Sequence, residues 1–104
     1  MTKYRVEIAE PAEKDLRDIV GYIYAQLDAP VTALKMMDII ESAVRNLEDM
    51  PEKYPAVKDE RLAAMGYRKL LVRNYIVFFT IDKSNKVVDV ERILYVRRDW
   101  LGIL

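Results

Sequence analysis

Between Leu47 and Tyr67 the hydrophobic period of this chain changes, and that change limits what it can fold into. From Ala12 to Leu47 the apolar residues recur at helical spacing, whereas from Tyr67 to Tyr95 they recur every second residue. The first stripe, Ala12, Leu16, Ile19, Val20, Ile23 and Leu27, follows the segment "AEPAEKDL". There Pro11 suits a first helical turn, and Glu10, Glu13 and Asp15 suit the positive end of the helix dipole. A second stripe runs through Ala33, Met37, Ile40, Val44 and Leu47, widened by Leu34, Met36 and Ala43, and predicts a helix to about Asp49. Only "LDAP" separates the two, with Asp28 as a cap and Pro30 in the next first turn, so the helices must fold back as an antiparallel hairpin. "MPEKYP" ends the second, since neither of its prolines can continue a helix.

Three strands are expected after the mixed connector "AVKDERLAAMG": Tyr67 to Val72, Tyr75 to Asp82 and Lys86 to Tyr95. Arg73-Asn74 and Lys83–Asn85 supply the turns, and strands joined so tightly form an antiparallel meander. "YRVEI" (Tyr4 to Ile8) reads as a first strand that joins the sheet. The expected fold is α+β with two layers, a helical hairpin packed on an antiparallel sheet in the order β-α-α-β-β-β, and one domain over residues 1–104. One sheet face is covered by the helices, which leaves the other open for function.

Composition removes several classes of chemistry. Without cysteine there is no disulfide framework or thiolate metal site, and without histidine the commonest metal ligand and neutral-pH acid/base is missing, so no metal and no cofactor are expected. No stretch reaches the about 18 apolar residues a membrane span needs, and the cytoplasm is the expected compartment. The net charge is zero, but residues 1–50 hold six basic against ten acidic side chains and residues 51–104 eleven against seven. A basic back half suggests an anionic partner, although its excess of four is too modest for a general nucleic-acid coat.

The basic residues Arg68, Lys69, Arg73, Arg92, Arg97 and Arg98 are interleaved with Tyr75, Tyr95 and Trp100 on the sheet and its exit. Guanidinium forks with aromatic faces fit single-stranded RNA or an acidic protein surface; a solvated, charged sheet face is the plainer reading. Arg92 stands in step with Val88, Val90 and Leu94, so strict alternation points it into the core. Either a carboxylate such as Glu7 neutralises it there, or a bulge turns it outward. In "VRRDW", Arg97 and Arg98 repel each other unless an anion or acidic partner lies between them, and Trp100 is either a contact residue or the closure of the core. Tyr22, Tyr24 and the methionines carry no comparable argument, and Asp59 and Glu60 read as solvated loop carboxylates.

Taken together and in order, "YRVEI" with "AEKDL", "GYRKLLVRNYIVFF" and "ERILYVRRDW" resemble the RelE/ParE superfamily, the toxins of type II toxin–antitoxin modules, over essentially the whole chain. The resemblance implies a small toxin held inactive by a cognate antitoxin. It also implies one of two activities, because RelE-type members cut messenger RNA on the ribosome and ParE-type members bind DNA gyrase. RelE-type nucleases read "GYRLVY", which placed over Arg73 to Phe78 puts Tyr75 where their arginine stands. Arg98 matches the arginine of their closing "KRE", and their later tyrosine has no counterpart in "WLGIL". If the chain is RelE-like, the catalytic set implied is Arg68, Arg73 and Arg98, with Tyr95 moving a proton. If it is ParE-like, Lys69, Tyr75, Arg92, Arg97, Arg98 and Trp100 are the target-binding set. The long helical hairpin and "VRNYIVFFTID" look more like ParE, and gyrase inhibition is the favoured expectation. Ribosome-dependent RNA cleavage is the alternative, and an antitoxin-bound module without toxicity is a third.

Overall fold

The computed structural model describes residues 3–104. Strand β1 (Arg5–Ile8) leads into α1 (Glu10–Ala25) and α2 (Pro30–Arg45). A short α3 (Glu60–Ala64) then precedes β2 (Arg68–Val72), β3 (Tyr75–Asp82) and β4 (Val87–Tyr95). The expected α+β architecture is present, with the helical hairpin packed on a four-stranded sheet of order β1-β4-β3-β2. The second helix stops at Arg45 instead of Asp49, and a tighter turn over Asn46–Glu48 still carries Leu47 into the core. Among the described residues no helix is long and apolar enough to cross a membrane.

The sheet is mixed rather than wholly antiparallel. β2, β3 and β4 form the meander, and β1 pairs with β4 in parallel, Arg5 opposite Val87 through Ile8 opposite Val90. The reason is topological: the helical hairpin carries the chain across the sheet from one edge to the other, so β1 and β2 can both run parallel to β4. The main core lies between sheet and hairpin, where Ala12, Ile40, Val44 and Leu47 meet Val77, Phe79, Val88, Val90 and Ile93.

The opposite sheet face is not left open. Leu62 of α3, Val57 of the connector and the chain end at Trp100, Ile103 and Leu104 pack on Phe78 and Leu94, burying both. A second small cluster therefore occupies part of the face expected to be free. Asp59, read from sequence as a solvated carboxylate, accepts the Leu62 N–H at 3.0 Å and so starts α3.

Candidate binding groove

Strand β4 carries one extra residue. Arg92 lies opposite Phe78 but Val90 lies opposite Phe79, which leaves Glu91 without a partner of its own in a β-bulge. Before the bulge Val88 and Val90 enter the helix-side core; after it Ile93 does so, while Leu94 joins the opposite cluster. A one-residue slip exchanges the faces of everything that follows. Arg92 is thereby taken out of step with Val88 and Val90, and the bulge foreseen as one of two solutions is present.

The other solution is present too, with a different partner. Arg92 donates from Nε to Asp15 Oδ2 and from Nη2 to Asp15 Oδ1, both at 2.8 Å, and the Ile93 N–H donates to Asp15 Oδ2 at 2.9 Å. Glu7 pairs with Arg5 instead, on an exposed part of β1. Asp15 is the buried charged residue of the described chain, and three charge-assisted bonds replace the hydration it loses. The same carboxylate raises the Arg92 guanidinium above its already high ordinary pKa, chiefly through the hydrogen bond, so Arg92 keeps its charge. The sequence held a signal for Asp15, which sits among Ala12, Leu16 and Ile19 on the buried stripe of α1 rather than on its solvent side.

Beside this pair a groove of about 660 Å³ opens between α1 and the end of the sheet. One wall is Asp15, Asp18, Ile19, Tyr22, Ile23 and Leu27; the other is Tyr75, Ile93, Leu94, Tyr95 and Arg98. The Tyr75 and Tyr95 rings meet edge to face, 5.9 Å between centroids. The Tyr75 hydroxyl is raised above the usual tyrosine pKa, first by burial and then by the neighbouring Tyr95 and Tyr22 hydroxyls, so the Tyr75 ring stays neutral. Asp18 is tied to Lys14 at 2.8 Å, whereas Arg98 has no ion-pair partner among the described residues.

The sequence candidates separate accordingly. Tyr75, Tyr95 and Arg98 line the groove, and Arg92 supports it through Asp15. Arg68 is turned to the far end of the sheet, where Nη1 donates to the carbonyls of Glu52 at 3.1 Å and Tyr54 at 2.7 Å. Lys69 lies half-buried on the same edge strand, its N–H bonded to Pro55 O at 3.1 Å. Arg73 is exposed in the β2–β3 turn with a left-handed φ of 56°. Arg97 is exposed outside the groove, and Trp100 lies half-buried against Phe78 at 5.2 Å. Tyr22, passed over in the sequence, is a groove residue.

With this arrangement in view, comparison with known proteins defines the class. The family described as the ParE toxin of the type II toxin–antitoxin system parDE matches residues 6–100, and the chain belongs to that family. Its fold is similar to that of a chain from the chromosomal ParDE toxin–antitoxin system of P. aeruginosa, with TM-score 0.74, 23% identity, and coverage of 91% of this chain and 98% of that one. It is similar also to a chain of the RelBE2 toxin–antitoxin complex of Mycobacterium tuberculosis, with TM-score 0.62, 19% identity and coverage of 90% and 99%. A mutant of the E. coli toxin RelE in the free state gives TM-score 0.66, 12% identity and coverage of 98% and 93%. No curated protein matches the chain.

Proposed function

We propose that this member of the ParE family acts by binding DNA gyrase, without cutting RNA, and that a cognate antitoxin holds it inactive until released. The observation that carries this reading is the dispersal of the guanidinium groups. Cleavage of a phosphodiester needs several cations aimed at one developing charge, because that preorganisation supplies the rate. Here Arg68 is committed to two carbonyls and Arg92 to Asp15, and Arg73, exposed in the β2–β3 turn, does not line the groove, which leaves Arg98 alone there. What remains is an aromatic and aliphatic groove with one guanidinium at its side, the composition of a protein-binding surface with anchor pockets. A net charge of zero is also poorly suited to docking on ribosomal RNA, where affinity depends on many phosphate contacts.

The RelE-like alternative has one observation in its favour: Tyr75, Tyr95 and Arg98 do share a groove. Inducing the chain alone in cells separates the two. Gyrase inhibition predicts loss of supercoiling in a purified gyrase assay and DNA damage before translation falls. Selective messenger cleavage at codon boundaries, with supercoiling unaffected, would overturn the proposal. Co-expression with an antitoxin should restore growth and give a complex that survives purification.

A further inference from the structure

We propose that Asp15 is an edge lock: it closes the exposed margin of β4 against strand addition, so that whatever enters the neighbouring groove must do so with side chains. β1 covers β4 only as far as Val90, whose carbonyl accepts the Ala9 N–H at 2.9 Å. Beyond that point β4 runs on to Tyr95 as the outer strand of the sheet. Its N–H groups alternate between the two sides. Val96 donates inward to Asn74 O at 2.9 Å, and Ile93 donates outward to Asp15, which places Tyr95 on the outer side with Ile93. An unpaired edge of this kind is a template for another chain, and proteins guard such edges with a covering helix or an inward-pointing charge.

Asp15 combines both devices. It projects from α1 onto the Ile93 N–H, and Arg92 holds its two oxygens in place. The same contacts join the two walls of the groove, since Asp15 belongs to one and Ile93 to the other. Arg92 is on this reading a positioning residue, acting through Asp15 and not by touching a target. The inference holds whichever protein the groove receives.

The opposite edge supplies an internal control. In β2 the Lys69 N–H points outward to Pro55 O, so the Leu71 N–H, two residues on, points outward as well, and Leu71 is 67% exposed. Among the described residues no side chain accepts a hydrogen bond from the Leu71 N–H. Amide hydrogen exchange of the whole chain, read residue by residue by NMR, should therefore show Ile93 protected at least tenfold more than Leu71, although neither has a strand on its outer side. Equal exchange at the two positions would overturn the proposal without any substitution being made. In Asp15→Ala, protection should fall at least tenfold more at Ile93 than at Val77 in the sheet interior, whose own loss reports the change in global stability, and sedimentation should show association that grows with concentration. A variant that stays monomeric with Ile93 still protected, or one that loses protection uniformly along β3 and β4, would show that Asp15 serves stability alone.

Discussion

Phe78 and Phe79 are adjacent, of one residue type and wholly buried, yet they belong to different cores. Phe79 faces the helical hairpin, among residues that helical and strand periodicities bring together. Phe78 faces a smaller cluster assembled from a connector helix and the chain end. The difference teaches how a strand covered on both faces is held: "YIVFF" is an unbroken apolar run because both of its faces are covered, wholly from Val77 to Phe79 and in part at Tyr75 and Ile76. It also bears on the site, because Trp100 closes the small cluster and directly follows the exposed stretch Val96–Asp99 that carries both terminal arginines.

The sharpest way to break the comparison is to truncate each ring in turn. Phe79→Ala should cost about 3–5 kcal/mol in urea denaturation, the usual range for a buried phenylalanine. Phe78→Ala should fall at or below the low end of that range, because the half-buried Trp100, Ile103 and Leu104 beside it can settle into the space. An equal or larger cost for Phe78→Ala would mean that the small cluster is as rigid as the large one.

Next in size is Asp15→Ala, which leaves the Arg92 guanidinium without its partner and the Ile93 N–H without its acceptor. Breaking a buried pair costs about 3–5 kcal/mol, and because a quarter of the Arg92 side chain stays exposed the expected loss is at the lower end, about 3 kcal/mol. Thermal unfolding of the variant checks it; a loss below about 1 kcal/mol would class the pair with ordinary surface salt bridges.

Smaller still is Trp100→Ala. A half-buried ring recovers part of the transfer energy of full burial, so the expected cost is about 1–2 kcal/mol, and growth arrest should weaken only as far as the fold does. If toxicity vanishes while stability holds, Trp100 contacts the target. The least change in stability is expected for Arg97→Ala combined with Arg98→Ala, about 0.5 kcal/mol, since both side chains are exposed. This double variant should nevertheless abolish growth arrest, and full arrest would remove Arg98 from the proposed binding surface.

Period and punctuation were enough to determine the order of the elements, the hairpin and most of the buried stripe, because both are properties of neighbours within a few residues. Ala12, Ala33, Ile40, Val44 and Leu47 are buried as their spacing requires. Leu27 and Leu34 are not: near the tip of the hairpin both stay more than half exposed, and period alone does not say how far the sheet extends beneath a helix. Tyr75, Tyr95 and Arg98 were legible as chemistry but not as neighbours of Tyr22. The parallel pairing of β1 with β4, the covering of the second face and the choice of Asp15 for Arg92 were decided by tertiary structure alone. Asp15 and Arg92 are 77 positions apart. Their meeting depends on where β1 ends and on a single extra residue in β4, a slip that costs little locally and reassigns every side chain beyond it.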